Sequence, residues 1–334
     1  MLKKQIEEFC STLGLDCVGF MPCRKFTELQ GVYESRQNLG LQNEFEEKEI
    51  EKRINPYLYM PEGKTILSIA FPYYHKDDNC EDGSEAVNNG FSIYTQRPDY
   101  HRVVKKYLQQ ISDYIMSLGG KTMSFVDSNA LPERYIAYLA GVGFIGRNNM
   151  LITKKYGSYV FLGEIITDLE IECKEKRIGE KISQYVECGD CTSCISECPT
   201  KSINKAHCNP NICLSYITQK KDITNQEMHL LKGNIFGCDF CQLKCPYNEN
   251  VVTSVLDDFA TLAYMREEVE VYAHMDNKYF KEKISSTSCG WRGKNVIRRN
   301  AIIHLAHNGQ VIDEFKGESP YINTYIDRLN SNKK

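Results

Sequence analysis

The stretch CGDCTSCISECP, residues 188–199, contains the motif that predicts the fold of the central part of this 334-residue chain. Its cysteines follow the spacing Cys-x2-Cys-x2-Cys-x3-Cys-Pro, at Cys188, Cys191, Cys194 and Cys198. This is the bacterial ferredoxin pattern, in which three thiolates hold one [4Fe–4S] cluster and the fourth reaches a second cluster. The spacing therefore predicts a module with two clusters.

A second run, CDFCQLKCP at 238–246, repeats the pattern with one cysteine fewer. It contains Cys238, Cys241 and Cys245. Two crossed clusters need eight thiolates, and the two runs together supply seven. Cys208 and Cys213 lie between the runs, and the residues alone leave either of them as the eighth ligand.

The crossed arrangement assigns each thiolate to a cluster. We expect the first cluster to be held by Cys188, Cys191, Cys194 and Cys245. We expect the second to be held by Cys198, Cys238, Cys241 and one of the two intervening cysteines. Paired Cys-x2-Cys units also bind structural zinc. Zinc sites seldom show the x2-x2-x3 run followed by proline, so the pattern favours iron–sulfur clusters.

The composition is that of a globular protein with a core, since 42% of residues are hydrophobic and 25% are charged. Nine of the 15 cysteines lie between 188 and 245. No apolar run reaches the ~18–20 residues of a membrane helix, and the start lacks a signal-peptide core. The expected location is the cytoplasm, where disulfides are rare and clustered cysteines indicate metal ligation. The net charge of −3 excludes nucleic-acid binding through bulk positive charge, but not through a local patch.

The periodicity divides the chain into three parts. Residues 1–170 alternate helical and strand patterns, which predicts an N-terminal α/β domain. Residues 171–252 comprise a charged connector, 171–187, and the ferredoxin-like module. Residues 253–334 are helical again. The best-defined elements are predicted at 64–74, 122–127 and 158–167 (strands) and at 98–118 and 296–308 (helices), with Pro98 in the first turn of its helix.

Several ordered segments resemble the epoxyqueuosine reductase (QueG) family. They include the early Arg-containing segment 50–67, the Asp-Tyr-His block 98–108, FVDSNALPERYIAYLAGVGFIGRNNMLIT at 125–153, CLSYIT at 213–218, GCDFCQLKCPYN at 237–248 and the segment 290–307. One departure is the missing glycine before the Asp-Tyr-His block, where this chain reads Gln96-Arg97-Pro98-Asp99. Because of this departure, the family's contacts near Arg97 are not carried over to this chain.

The resemblance implies a base-off cobalamin over the nearer cluster. It implies reduction of the epoxide of epoxyqueuosine, at the wobble position of certain tRNAs, to the alkene of queuosine. It implies a nitroreductase-like N-terminal fold and a truncated, HEAT-like C-terminal segment that binds the tRNA anticodon stem-loop. We also expect a monomer, without membrane contact, that is served by an external low-potential electron donor.

Individual residues carry over from the matching motifs. The resemblance makes Cys213 the eighth cluster ligand and leaves Cys208 as a bystander. It makes Asp127 the proton donor and a neighbour of the cofactor. Further cobalamin contacts are implied for Arg53, Asn148, Ser158, Ser215 and Gln242.

The chemistry explains why such parts are needed. Opening an epoxide to an alkene removes one oxygen as water and consumes two electrons and two protons. Clusters deliver electrons singly, so Co(I) cobalamin would collect two of them. Asp127 could protonate the leaving oxygen if burial raised its pKa. The residues alone instead favour Asp127 as a cap of the helix beginning near Pro132, and the family block reverses that preference.

His101 raises a separate question about cobalt. The cobalamin signature Asp-x-His-x-x-Gly begins at Asp99, but Val104 stands in place of its glycine. We therefore expect His101 to be structural, with no protein histidine ligating cobalt.

A basic stretch with an aromatic lies at 290–300 and predicts the tRNA contact. Its members are Trp291, Arg292, Lys294, Arg298 and Arg299. A solvated helix start is the alternative interpretation. Two rival functions also stay open: a cobalamin and iron–sulfur reductase of a small molecule, akin to a reductive dehalogenase, and a non-catalytic ferredoxin-type electron carrier.

Overall fold

The structure is a computed structural model that describes residues 1–75, 89–176, 185–204, 208–317 and 319–331. Part of the predicted connector, residues 177–184, therefore lies outside the described residues. No helix within these ranges is long and apolar enough to cross a membrane.

A four-stranded sheet organises the N-terminal part, with strand order β1-β2-β6-β3. Its strands are β1 Val18–Pro22, β2 Thr65–Pro72, β3 Thr122–Phe125 and β6 Val160–Thr167, and a separate small ribbon pairs β4 Phe144–Ile145 with β5 Leu151–Ile152. Each of the three predicted strands is confirmed. All neighbouring strands are antiparallel, so the domain is α+β in the strict sense.

Helices cover both faces of the sheet. They are α1 Leu2–Thr12, α2 Gln30–Asn38, α3 Ile50–Ile54, α4 Tyr100–Ser117 and α5 Glu133–Leu139. Side chains alternate along β6, so Ile165 packs with α1 and α4 in one apolar core and Ile166 packs with α5 in another. The sheet is therefore buried on both sides.

Helix α4 begins later than its sequence predicts. Asp99 caps it by accepting a hydrogen bond from the His101 backbone N–H at 3.1 Å. Pro98 lies before the cap, in a bridge to Thr287, so its placement in the first turn was wrong. The cap places Tyr100 and His101 in the first turn of α4, close to the end of β3.

The cysteine-rich part folds as short helices between loops: α6 Ser193–Glu197, α7 Leu214–Gln219, α8 Asn225–Leu230 and α9 Phe240–Leu243. The C-terminal helices are α10 Val269–Ala273, α11 Asn277–Glu282, α12 Lys294–His307 and α13 Pro320–Ser331. The predicted helix at 296–308 is thus confirmed as α12. One apolar core joins α7 and α8 to α10, α12 and α13, so the stretches on either side of residue 252 share a core.

Candidate active site and cluster-binding module

The first set of thiols gathers around Cys194. Burial, followed by electrostatic repulsion from Cys188, Cys245 and Cys191, raises the pKa of Cys194 to about 11. Cys188 and Cys191 are the electrostatic neighbours of Cys245, whose own pKa is raised mainly by burial. These four thiols are the set that the crossed arrangement assigns to the first cluster.

The second set gathers around Cys238 and Cys241. Burial raises the pKa of Cys238 to about 12, with further repulsion from Cys213 and Cys198. The pKa of Cys241 is raised mainly by burial and then by its electrostatic neighbours Cys238 and Cys213. Because α6 and α9 pack together, Cys194 of the first set lies near Cys241 of the second.

Cys208 lies beside the second set but differs from Cys213 in its surroundings. Its thiol points to the backbone oxygen of Arg147, at 3.7 Å. Burial raises the pKa of Cys208. The positive charges of Arg134 and Arg36 lower it, and their influence is larger than that of the neighbouring cysteines Cys213 and Cys198. Cys213 is the cap residue just before helix α7, and its thiol accepts from the backbone N–H groups of Ser215 and Tyr216. These surroundings favour Cys213 over Cys208 as the eighth ligand.

The arrangement of the thiols does not favour a mononuclear site. Among the described residues, no three Cys, His, Asp or Glu side chains are arranged to hold a single metal ion. A tetrahedral zinc site needs four ligands within about 2.3 Å of one point. Two neighbouring quartets of thiols instead suit two clusters, each held by four thiolates.

Asp127 follows β3 in a left-handed conformation, with φ at 43°. Tyr100 donates its hydroxyl hydrogen to Asp127 Oδ2 at 2.6 Å, and His101 Nε2 lies 3.1 Å from the same oxygen. Helix α5 begins at Glu133 with no side-chain cap. The helix-cap interpretation of Asp127 is therefore wrong, because its carboxylate faces α4 instead.

The charge state of Asp127 also differs from expectation. Burial would raise its pKa, but hydrogen bonds from His101 and Tyr100 outweigh burial and hold the pKa of Asp127 below its usual value. Hydrogen bonds to Asp127 and Asp99 raise the pKa of His101 to about 9. At neutral pH, Asp127 is thus a carboxylate beside a protonated His101, and the proton expected on Asp127 resides on the imidazole.

The Asp127 side chain is partly exposed to solvent. The exposed fraction of its side chain is 57%. Many protein atoms nevertheless surround its carboxyl group, so burial is the largest single influence on its pKa. Tyr94 shares this environment, since it senses the charge of Asp127 and hydrogen-bonds to Ser215 beside Cys213. The region from the Asp127 carboxylate to Ser215 beside the second set of thiols, called the cleft below, is the candidate location for a redox cofactor.

Three of the residues implied as cofactor contacts lie together beside Cys241. Ser158 donates to Gln242 Oε1 at 2.9 Å, and the Asn148 amide donates to the Cys241 carbonyl at 3.2 Å. Ser158 is 0% exposed, and Asn248 donates to the same Ser158 hydroxyl at 2.9 Å. The Ser158 hydroxyl is thus held between Gln242 and Asn248, and it fixes the position of the Gln242 side chain.

Two arginines, Arg53 and Arg97, bind partners within the protein. Arg53 pairs with Glu46 at 3.1 Å and lies 3.9 Å from the centre of the Tyr33 ring, and neither partner belongs to the group around Cys241. Arg97, at the departure from the family block, is fully buried and donates to the Ile93 carbonyl at 3.0 Å. Arg97 therefore stabilises the turn that carries Tyr94.

The basic stretch at 290–300 separates into exposed and buried members. Trp291 is 58% exposed, and the Arg292 guanidinium stacks 4.2 Å from its ring while pairing with Glu44 at 2.8 Å. Arg299 is 0% exposed and donates to the carbonyls of Lys220 and Lys221. The prediction that Arg299 contacts tRNA is therefore wrong, because its side chain is buried and donates to main-chain carbonyls within the core.

The other two basic residues are half-buried on α12. Arg298 donates to the Ala273 carbonyl at 3.0 Å, whereas Lys294 is the first residue of the helix. The side chains of Trp291 and Lys294 are therefore the members of the stretch that are best placed to meet a nucleic acid.

The charge pair of His101 predicts a pH-dependent stability. The pKa of His101 is raised from 6.5 to about 9 in the folded chain. The pair of His101 with Asp127 therefore contributes its full stabilisation of the folded state below pH 6.5. That stabilisation is lost as pH rises through about 9. We expect urea unfolding to show a fall in the free energy of unfolding across this window that His101→Gln abolishes. The exposed His274→Gln should retain the wild-type slope, and an unchanged slope in His101→Gln would refute the pairing.

Sequence reasoning missed Tyr94 and Tyr100 as parts of the site. Tyr100 lies inside the Asp-Tyr-His block, so the block contained the signal, but its hydroxyl partner is 27 residues away. Tyr94 lies in a short turn, Ile93–Thr95, for which no sequence pattern indicates a function. Both hydroxyls line the cleft only because the sheet and α4 bring distant segments together.

Comparison with known proteins gives two family matches. A model described as a 4Fe-4S double cluster binding domain matches residues 187–248. A model described as epoxyqueuosine reductase QueG, DUF1730, matches residues 53–128. The two-cluster module predicted from the cysteine spacing is thereby confirmed.

Similar proteins extend over most of the chain. The epoxyqueuosine reductase of Bacillus subtilis is 34% identical over 318 residues, which are 92% of this chain and 79% of that protein. That of Lactococcus garvieae is 32% identical, over 92% of this chain and 87% of its own. A crystal structure of epoxyqueuosine reductase with a modified tRNA-Tyr stem loop superposes with a TM-score of 0.87 at 30% identity, covering 98% of this chain and 90% of that one.

A further solved structure bears on the aspartate loop. It is the epoxyqueuosine reductase of Bacillus subtilis with its catalytic aspartate loop swung out of the active site, at a TM-score of 0.86 and 29% identity, covering 98% of this chain and 89% of that one.

Proposed function

Because this chain belongs to the epoxyqueuosine reductase family of oxidoreductases, we propose that it reduces the epoxide of epoxyqueuosine in tRNA to the alkene of queuosine. The observation that supports this most is the Asp127 carboxylate, held by Tyr100 and His101 at a cleft that leads to the double-cluster module. A proton-handling group and an electron supply converge there, and this reaction needs both.

Base-off cobalamin is the cofactor that we propose for the cleft. The polar groups along this region would meet the polar edges of such a cofactor, since Tyr94 hydrogen-bonds to Ser215 and Gln242 follows Cys241 in the chain. Asn148 and Ser158 would orient the Gln242 segment. Both ring nitrogens of His101 face carboxylates, with Nδ1 2.7 Å from Asp99, so we expect no histidine ligand to cobalt.

The residues of this chain would manage the protons. When bound, the cobalamin supplies a nucleophilic two-electron centre, charged one electron at a time by the clusters. His101 holds a proton at neutral pH, and Asp127 lies between it and the cleft. We propose that Asp127 delivers this proton to the leaving oxygen and that His101 replaces it, while Tyr100 keeps the carboxylate aligned.

Further parts of the proposal concern architecture and surroundings. We propose a nitroreductase-like fold for the sheet domain of residues 1–170, a ferredoxin-like module at 171–252 and a HEAT-like segment at 253–334. We propose that the protein works as a monomer in the cytoplasm, where a reducing environment preserves the thiolates. An external low-potential donor would feed the first cluster.

The exposed tryptophan gives a test of tRNA docking. If Trp291 stacks on a base, Trp291→Ala removes a contact worth about 1–3 kcal/mol, and the Kd for the stem-loop rises at least about fivefold. Fluorescence anisotropy with a labelled anticodon stem-loop measures this. Val311→Ala removes another exposed apolar side chain and should leave the Kd unchanged. An unchanged Kd in Trp291→Ala would place the tRNA elsewhere.

The function itself is tested with the full chain, loaded with both clusters and cobalamin under a chemical reductant. Incubation with a stem-loop that carries epoxyqueuosine should produce queuosine. Reduction of an organohalide but not of the modified RNA would support a small-molecule reductase. Cluster reduction without turnover of either substrate would support an electron carrier.

A further inference from the structure

Asp239 lies inside the second cysteine run, directly after Cys238 and two residues before Cys241. It occupies the cap position of α9, yet its side chain makes no cap hydrogen bond to the backbone of that helix. Its carboxylate instead binds the turn of the sheet domain that carries Tyr94. Asp239 therefore links a cluster-binding loop to one side of the cleft.

Three donors hold the Asp239 carboxylate. The Ser92 hydroxyl donates to Oδ1 at 2.5 Å, and the Ile93 backbone N–H donates to Oδ2 at 2.7 Å. The Gln242 side-chain amide donates to Oδ1 at 3.3 Å. Short bonds are typical of an ionised acceptor, and several donors on one carboxylate favour its charged form. These three donors are themselves uncharged, so they fix the carboxylate without cancelling its negative charge.

Backbone packing brings Asp239 and the turn side by side. The Ser92 backbone N–H donates to the Phe236 carbonyl at 2.9 Å. Gly237 has a φ of 77°, and a β-carbon there would lie 2.5 Å from Cβ of Ser92 and 2.9 Å from Cε1 of Tyr94. Glycine is the residue that suits such a conformation and such a close approach. The link therefore depends on two adjoining backbone segments and not on one flexible side chain.

The charge of Asp239 acts on the second set of thiols. Adjacent α-carbons are ~3.8 Å apart, so the carboxylate is covalently confined to the neighbourhood of Cys238. Asp239 is accordingly an electrostatic neighbour of both Cys238 and Cys241. Reduction adds one electron, and with it one negative charge, to a cluster. A fixed negative charge nearby opposes that addition and lowers the reduction potential of the cluster.

We propose that Asp239 ties the Tyr94 turn to the cluster-binding loop and that its charge keeps the second cluster strongly reducing. Asp239 is a positioning residue and not a proton donor. The external donor loses one electron, which passes through the first cluster to the second, and no bond is made or broken. The inference rests on the double-cluster module and on the assignment of Cys238 and Cys241 to the second cluster. It does not rest on the proposed reduction of epoxyqueuosine.

Anaerobic redox titration of the full, cluster-loaded chain, followed by electron paramagnetic resonance, tests the effect of the charge. The signal of the second cluster is the one that Cys213→Ser loses. Asp239→Asn removes the charge and keeps the size of the side chain. At an effective dielectric constant of about 20, one charge on the order of 10 Å away changes a one-electron equilibrium about tenfold. The potential of the second cluster should therefore rise by about 59 mV.

Two control variants separate the charge of Asp239 from other effects. Ser92→Ala removes one donor but keeps the carboxylate, so the second cluster should keep its wild-type potential. Asp190→Asn removes an exposed aspartate beside Cys191 in the first cysteine run. Because solvent screens exposed charges, this variant should also leave the potential of the second cluster unchanged.

Hydrogen–deuterium exchange of residues 91–95 tests the tie to the turn. Asp239→Asn loses the charged acceptor of the Ile93 N–H, and hydrogen bonds to charged groups are among the stronger ones. Exchange of this segment should therefore accelerate about tenfold or more. Asp190→Asn should exchange at the wild-type rate.

An unchanged potential of the second cluster in fully loaded Asp239→Asn would overturn the electrostatic role. An equal rise in Ser92→Ala or Asp190→Asn would do the same, because neither variant changes the charge of Asp239. Unchanged exchange of residues 91–95 in Asp239→Asn would overturn the tie. Asp239→Ser, with a smaller neutral side chain, takes the place of Asp239→Asn if that variant does not load both clusters.

These measurements need neither tRNA nor cobalamin nor turnover. Failure of the proposed function would therefore leave a shifted potential standing. Conversely, an unshifted potential in an Asp239→Asn protein whose wild type reduces epoxyqueuosine would refute the role of Asp239 alone.

Discussion

Asp127→Ala should lower the rate of epoxide reduction by about 10²- to 10⁴-fold, the usual contribution of a general acid. The side chain is 57% exposed in the cleft, so its removal leaves no buried cavity, and the fold should tolerate the change. The effect belongs to the rate of turnover and not to the affinity for RNA. It is measured by single-turnover conversion of an epoxyqueuosine stem-loop with fully loaded protein.

Two controls separate the role of Asp127 from a general loss of negative charge. Asp113→Asn changes an aspartate on α4 that accepts a hydrogen bond from Gln109 of the same helix, and it should turn over as the wild type does. Cluster content and stem-loop affinity should be equal in all three proteins. Turnover by Asp127→Ala within a few-fold of wild type would exclude Asp127 as the proton donor.

Cys213→Ser should remove about half of the bound iron and abolish turnover, because the second cluster loses one of its four thiolates. The first cluster should survive, since its four thiols lie in a separate set around Cys194. The supply of electrons to the cleft would then be interrupted between the first cluster and the cofactor. Iron and sulfide analysis, with electron paramagnetic resonance of the reduced protein, measures both effects.

Cys208→Ser is the matched control for Cys213→Ser. Its thiol faces the Arg147 carbonyl, so the variant should keep all of its iron and turn over normally. The opposite outcome, with iron lost from Cys208→Ser and retained in Cys213→Ser, would exchange the roles of the two cysteines and refute the assignment.

Local patterns predicted much of the fold. Continuous apolar runs marked β2 and β6, because both faces of these strands are buried. The helical periodicity of α4 and α12 was equally visible. Cysteine spacing predicted the double-cluster module because the ligand geometry of that module is written in short sequence separations.

Contacts between distant segments could not be predicted in this way. Arg299 looked like part of a basic surface, yet it folds into the core against the carbonyls of Lys220 and Lys221. The pKa of Asp127 depends on His101 and Tyr100, which approach it only across the sheet domain.

The most direct test of the central claim is mass analysis of the nucleoside recovered from tRNA after one turnover. With both clusters and cobalamin bound and a low-potential donor supplied, epoxyqueuosine should lose one oxygen and become queuosine, with two electrons consumed per product. Recovery of unchanged epoxyqueuosine from protein that is fully loaded and binds the RNA would contradict the account.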